Sequence, residues 1–416
     1  MRVLHTSDWH LGQELHRYDR QYEHQQFLKW LIGVIIENDV DVLLVAGDVF
    51  DTSNPPASAQ RLFFNFVMEL SDAVKGLKVI VTAGNHDSPS RIEAPSEMLN
   101  AFSVNVVGRI SSTPDGLQSA RHFLIPLSSK GSDTPEALCV ALPYLRTADV
   151  LWPAEVIAYP EGVMRAYRQA LQSARAEFGS SLPLIAMGHM HASGGQTSDE
   201  SERKLVIGGE AAVPLLSLAN EFAYVALGHL HLAQKVGGCE HIRYCGSPLP
   251  LSFSEINYPH QVVLFEIQGS AFPVQIQTLR VPRFVEMLRC PSEPSDLDTA
   301  LAALKRLKLD PNAPLEQHPF LEIPVQLNGP TPDMRSRVDQ VLKDLPVRLG
   351  RILVSEQDQP ENFDRSSLSG LDSLRNIDPL AVFENIHASK WKSAPSPELK
   401  ALFEEVFRQV SEGADE

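Results

Sequence analysis

At 416 residues the chain exceeds one ordinary core and suits two or three domains of about 100–200 residues each. Hydrophobic residues make up 43% and charged ones 21%, which buries a core and excludes wholesale disorder and collagen-like or coiled-coil composition. The 36 Lys and Arg against 52 Asp and Glu leave a formal charge of −16, so the basic footprint of a protein that wraps nucleic acid unaided is absent. A local patch, a bound metal or a partner chain can still supply a positive field.

The first ~280 residues alternate short β-branched runs with longer helical patterns, the signature of a layered α/β domain. Strands are predicted at 2–6, 41–46, 78–82, 183–187 and 222–227. A helix at roughly 20–37 carries Phe27, Leu31, Val34 and Ile35 on one face, and another at about 57–70 carries Leu62, Phe63, Phe66 and Leu70. Residues 111–136, rich in Ser, Thr, Pro, Gly and Asp, read as a loop or hairpin excursion. After Pro282 the texture changes: strands at 283–289, 319–327 and 347–355 with helices at ~295–308 and ~332–344 make a compact β-α-β-α-β unit. Polar residues 356–376 suit a linker. The tail then holds a helix near 379–390 and another from Pro397. The expected division is therefore 1–282, 283–356, a linker at 357–378 and a helical tail at 379–416.

Cys139, Cys239, Cys245 and Cys290 form no CxxC pair and are sparse for this length, so they read as reduced thiols of a cytoplasmic protein. No apolar run approaches the ~18–20 residues of a membrane span, and the start lacks the apolar core of a secretory signal.

Each predicted strand runs into a cluster of metal-capable residues: Asp8-Trp9-His10, Gly47-Asp48-Val49-Phe50-Asp51, Gly84-Asn85-His86-Asp87, Gly188-His189-Met190-His191 and Gly228-His229-Leu230-His231. Ligand sites of open α/β sheets lie beyond the carboxyl ends of the strands, so clusters from distant parts of the chain converge there. One such cluster is ordinary in a solvated loop; five at the same end of five strands are not. Asp, His and Asn without Cys suit Mn²⁺, Mg²⁺, Fe²⁺ or Zn²⁺ rather than a thiolate site. Two divalent ions about 3.5–4 Å apart clamp an in-line displacement at phosphorus and lower the pKa of bound water.

In this order DxH, GDxxD, GNHD, GH and GHxH resemble the calcineurin-like metallophosphoesterase superfamily. The extended forms HTSDWHLGQ (5–13), GDVFDTSNPP (47–56), GNHDSPSR (84–91), GHMHASGG (188–195), ALGHLH (226–231) and YCGSPLPLSFSE (244–255) resemble its double-strand-break-repair nuclease branch, with the nuclease subunits of bacterial SbcCD complexes. The resemblance spans most of residues 1–290. It implies a two-sheet α/β sandwich with a smaller β-α-β-α-β capping domain and a helical tail. It assigns Asp8, His10 and His231 to one metal and Asn85, His189 and His229 to the other, with Asp48 bridging. His86 is then the catalytic histidine that binds no metal, oriented by Asp87; His191 is an extra imidazole in the fourth motif, read as solvent-facing or supporting, with a ligand role as the alternative. Two divalent ions, Mn²⁺ foremost, are the implied cofactors.

The resemblance also implies exonuclease action on duplex ends and endonuclease action on single strands or hairpins. The partners would be DNA and an SbcC-like coiled-coil ATPase, with a homodimer of the nuclease chain inside a heterotetramer. Such a partner would reconcile the acidic chain with a substrate whose binding rests on phosphate contacts. Arg17, Arg20 and Arg91, just after metal motifs, are candidate phosphate contacts. Ser396 caps a helix starting at Pro397, whose stripe of Leu399, Leu402, Phe403, Val406, Phe407 and Val410 is the candidate partner surface. The competing readings are a phosphatase or small-substrate phosphodiesterase of the same superfamily and, from another class, a metal-free scaffold. Protein Ser/Thr phosphatases carry GDxxDRG and GNHE, whereas here Asp51-Thr52-Ser53 and Asp87 stand instead.

Overall fold

A computed structural model describes residues 1–110, 112–113, 116–117, 120–151, 157–196, 212–269, 275–327, 329, 331–356, 380, 383–384, 387–388, 391 and 393–412. The chain packs into two compact units, Met1–Met287 with Pro314–His318, and Leu288–Ala313 with Pro319–Glu416.

In the first unit two six-stranded sheets lie face to face. One runs Gln275–Arg280, Gln261–Glu266, Arg2–Thr6, Val42–Ala46, Lys78–Thr82, Val104–Val107; the other runs Gln234–Val236, Cys239–Tyr244, Tyr224–Gly228, Leu184–His189, Ala137–Ala141, Leu124–Leu127. The inner four strands of each sheet include the parallel runs that end at the motifs. Alternation along these strands fills two cores. Val3, Val42, Leu44 and Ala46 face the second sheet's Leu138, Val140 and Tyr224. Leu4, Leu43, Val45 and Val81 face Phe27 and Leu31 of the helix Gln21–Glu37 and Phe63 and Phe66 of the helix Ala57–Ala73. Trp9 fills the join edge-on to Phe27 and Phe66, its Nε1–H donating to Thr6 Oγ1 at 3.0 Å.

The stretch 111–136 is not all loop. Leu124–Leu127 is the edge strand of the second sheet, antiparallel to Ala137–Ala141, preceded by a helical turn Ala120–Phe123 and a two-by-two-residue hairpin at 112–113 and 116–117. Pro126 disguised this strand, but a sheet edge tolerates a residue without an N–H, and its carbonyl accepts from Lys78 Nζ.

The second unit contains a three-stranded sheet of Met287–Arg289, Phe320–Leu327 and Arg348–Glu356, the last two parallel, with helices Leu297–Leu304 and Met334–Leu342 between them in sequence. Its first strand is shorter than the expected 283–289. Ala300, Leu304, Leu321, Ile323, Val325 and Val338 form its core. Glu322 lies fully buried inside it and is neutralised by Arg289 at 2.6 Å and by Arg351. The expected linker, and most of the helix expected near 379–390, lie outside the described residues. The last helix, Pro397–Glu412, starts where expected, with Leu399 N donating to Ser396 Oγ at 3.3 Å.

Candidate metal centre

The five motif loops meet at the carboxyl ends of the parallel strands. The first two are sewn together by backbone hydrogen bonds: Asp8 N, His10 N and Leu11 N donate to the carbonyls of Gly47, Asp48 and Val49 at 3.0, 3.0 and 2.9 Å. Asp8, His10, Asp48 and His229 all adopt positive φ (53°, 47°, 49° and 100°), a conformation non-glycine residues occupy at a cost of about 1–3 kcal/mol and which clusters at functional sites. The motif glycines serve close approach. A Cβ on Gly47, itself at φ +85°, would stand 2.2 Å from His189 Nδ1, and one on Gly84 2.1 Å from Asp48 Oδ1.

These loops bring together three ligand groupings, each with its atoms within 4.8 Å: Asp8, His10 and His231; Asp8, Asp48 and His189; His10, Asp48 and His86. Asp48 Oδ2 stands 3.6 Å from His10 Nε2 and 3.3 Å from His189 Nε2. Asn85 Oδ1 is 3.0 Å from both His189 Nε2 and His229 Nδ1. All of these side chains lie close enough to surround a pair of ions. The donor chemistry fits divalent cations: His10 Nε2 is buried without a hydrogen-bond partner, directed at a carboxylate it does not bond.

The electrostatics of the chain point the same way. Burial alone would push the Asp48 carboxyl up, but His189, His10 and His86 hold it well below the usual carboxylate range. Burial would depress His189, yet Asp48 lifts it to about 9. Burial, with His189 beside it, drives His229 down to about 3, which leaves a neutral imidazole ready to ligate. His86 is lowered by burial against the opposing pull of Asp48.

The imidazoles are held from behind. His10 Nδ1 faces Asp51 Oδ1 at 3.1 Å, His189 Nδ1 faces the Ala46 carbonyl at 3.0 Å, and His231 Nδ1 faces Glu255 Oε1 at 2.9 Å. Asp8 accepts from Ser7 Oγ and, at 3.0 Å, from the backbone N–H of His229. Asp51 and Glu255 both stand inside sequence motifs, yet only the fold shows which histidine each one meets.

Two expectations need correction. Asp87 does not orient His86: its buried carboxylate accepts from the backbone N–H groups of Gly84, Val49 and Phe50 at 2.8, 3.2 and 3.0 Å, tying two motif loops together. Burial and the nearby Asp48 raise it to about 6. His86 Nδ1 instead meets the Asp51 carbonyl at 2.6 Å, and its backbone N–H donates to Asp48 Oδ1 at 2.9 Å. Arg20 is not presented to a substrate. It is 1% exposed, forks onto Glu23 with Nε at 2.8 Å and Nη2 at 2.5 Å, and spends Nη1 on Gln13 Oε1 and the Pro250 carbonyl. Arg17 and Arg91 are exposed, Arg17 in the tight hairpin between 14–15 and 18–19 and Arg91 on the helical turn Pro89–Glu93. His191 is half-buried beside the cluster, its ring close enough to help depress His229. Sequence inspection missed Arg146, whose Nη2 donates to the Asp87 carbonyl at 3.3 Å while the guanidinium lies 5.8 Å over the Tyr144 ring.

The profile of calcineurin-like phosphoesterases matches residues 1–233, and that of the type 5 capsule protein repressor C-terminal domain matches residues 283–390. The chain is 39% identical over 391 residues to the SbcCD nuclease subunit of Rhodobacter capsulatus, covering 92% of this chain and 93% of the relative. It is 32% identical over 360 residues to the Escherichia coli K12 protein of the same name, with 84% of each covered. The Bacillus subtilis 168 counterpart is 36% identical over 275 residues, 64% of this chain and 66% of that one.

Proposed function

The chain belongs to the family of SbcCD nuclease subunits within the calcineurin-like phosphoesterases, and on that premise we propose that it is a DNA phosphodiesterase with a two-cation centre. The observation that carries the reading is the single carboxylate of Asp48 standing between a histidine of each ligand set. In this reading Asp8, His10 and His231 hold one ion, Asn85, His189 and His229 hold the other, and Asp48 is shared. Mn²⁺ is the proposed metal; the all-oxygen and imidazole donor set suits it.

Two divalent cations held by these residues would supply Lewis-acid charge at a phosphodiester and lower the pKa of water bound to them. The chain's own residues do the rest. The carboxylates of Asp8 and Asp48 would offset the positive charge and the neutral His229 would offer a lone pair, while the left-handed backbone at Asp8, His10 and Asp48 fixes their carboxylates and imidazole before substrate arrives. His86 gives its Nδ1–H to the Asp51 carbonyl, so Nε2 is the atom that, in the imidazolium form, would carry the proton passed to the departing 3′- or 5′-oxygen.

The same reading takes duplex ends for exonuclease action and single strands or hairpins for endonuclease action. It pairs the chain, as a homodimer inside a heterotetramer, with an SbcC-like coiled-coil ATPase in the cytoplasm. A DNA-binding partner offsets the −16 charge. Among the described residues no helix is long and apolar enough to cross a membrane. The test is digestion of end-labelled duplex and hairpin DNA with Mn²⁺ or Mg²⁺, with and without the ATPase. Metal-dependent cleavage that the partner and ATP stimulate supports the proposal; hydrolysis of phosphomonoesters with no action on DNA contradicts it.

A further inference from the structure

The segment Tyr244–Glu255 supplies none of the assigned metal ligands, yet it ends on a fully buried carboxylate. Glu255 closes a short 3₁₀ turn, Phe253–Glu255, and puts Oε1 2.9 Å from His231 Nδ1. Its Oε2 accepts from Leu251 N at 2.8 Å, with Ser247 Oγ at 3.5 Å. The loop carrying it is itself anchored to His231: Ser247 N donates to the His231 carbonyl at 3.1 Å, and a Cβ at Gly246 would stand 2.6 Å from that same oxygen. His260 lies against the loop from the other side, Nδ1 2.9 Å from the Ser247 carbonyl and Nε2 3.1 Å from the Glu255 carbonyl, so that either tautomer donates to one of them.

A buried carboxylate is costly unless its charge is used. Packing alone would be served here by an apolar side chain. An imidazole that donates Nδ1–H to a carboxylate is locked in one tautomer and one orientation, with a more basic Nε2 lone pair. The two halves of the cluster differ in this respect. His10 and His231 are backed by the carboxylates of Asp51 and Glu255, whereas His189 is backed by the neutral Ala46 carbonyl.

We propose that Glu255 is a positioning residue for the cation held by Asp8, His10 and His231: it fixes His231 as an Nδ1–H donor with Nε2 toward the cluster, and thereby sets the affinity of that one site. The inference rests on the two-cation reading above. It is tested by titrating the full-length protein with Mn²⁺ calorimetrically, as wild type, Glu255→Gln and Glu255→Asp. The expected result is that wild type takes up two ions. Glu255→Gln should weaken one of them about 10–100-fold, leave the other unchanged and fold normally without metal. Glu255→Asp, which keeps the charge on a shorter arm, should recover part of the loss. A two-site isotherm unchanged in Glu255→Gln overturns the inference, while wild-type protein that binds no Mn²⁺ overturns the two-cation reading instead. Should Glu255→Gln not fold, histidine ¹⁵N spectra of the unaltered chain decide. His231 protonated at Nδ1 before metal, and shifted at Nε2 on adding Zn²⁺, supports the role; His231 protonated at Nε2 contradicts it.

Discussion

His86 is the residue at which ion binding and chemistry separate. Distance alone places it in one ligand grouping with His10 and Asp48, but its Nδ1 is already engaged by the Asp51 carbonyl. If it holds a proton rather than an ion, His86→Ala should retain two Mn²⁺ and lose about 10²–10⁴-fold in diester cleavage. Loss of an ion together with activity in metal analysis would make it a ligand. Asp48→Ala should instead lose the paired ions. Because Asp48 holds a proton on His189 up to about 9, cation binding must displace that proton, so Mn²⁺ affinity should rise with pH between 6 and 8. Calorimetry in buffers of different ionisation enthalpy checks this; binding with no proton release contradicts it. At this scale the five motifs marked side chains that gather at the strand ends, but not the partners of Asp87, whose carboxylate is taken by the N–H groups of Gly84, Val49 and Phe50. It was uninformative about Arg20, whose guanidinium turns onto Glu23 one helical turn away, and about Glu255, whose partner lies 24 residues back.

Elements were legible where apolar period was strong. The strand Arg2–Thr6 and the helix Gln21–Glu37 agree with expectation, while Leu124–Leu127 was hidden by a proline that an edge strand tolerates. The helix Gln21–Glu37 carries a buried His24 that burial, and Arg20 beside it, depress to about 3; its Nε2–H donates to the Trp9 carbonyl at 3.1 Å. The folded value lies below the unfolded 6.5, so the unfolded chain binds the extra proton between them. Stability is therefore full above pH 6.5 and falls as pH drops toward 3, by up to about 1.4 kcal/mol per pH unit. His5, buried and likewise at about 3, adds the same sign. His24→Gln keeps the donor to Trp9 and should flatten the decline of melting temperature between pH 7 and 5; an unchanged slope would contradict this. In the tail helix, Phe403 stacks on Phe383 at 4.4 Å, while Leu402, Val406 and Phe407 stay 58%, 51% and 46% exposed. Exposed apolar side chains of this kind suit a partner helix. Phe403→Glu with Phe407→Glu should abolish co-purification with the ATPase while leaving Mn²⁺-dependent nuclease intact; a double variant that is insoluble or melts far lower alone would assign the stripe to the protein's own core.

For the whole molecule, the proposal divides labour between the two compact units. All assigned ligands come from Met1–Met287, and the second unit has its own core and its own matching profile. Ending the chain near residue 283 should spare hydrolysis of a small activated phosphodiester and damage DNA cleavage; equal loss of both would show that the second unit is needed for folding rather than for selecting DNA shape. The layered α/β class and the cluster of ligands at one end of the strands were readable because they repeat a local pattern five times. The two-sheet sandwich came only with the family resemblance and not from local pattern, since closing the first sheet needs Gln261–Glu266 to return from far along the chain and pair with Arg2–Thr6. The most direct test of the two-cation centre is Mn²⁺ stoichiometry of the purified full-length protein, followed alongside cleavage of end-labelled DNA. Two ions per chain, with cleavage appearing as the second site fills and vanishing in Asp48→Ala, is the predicted result. One ion or none at full cleavage activity would contradict it.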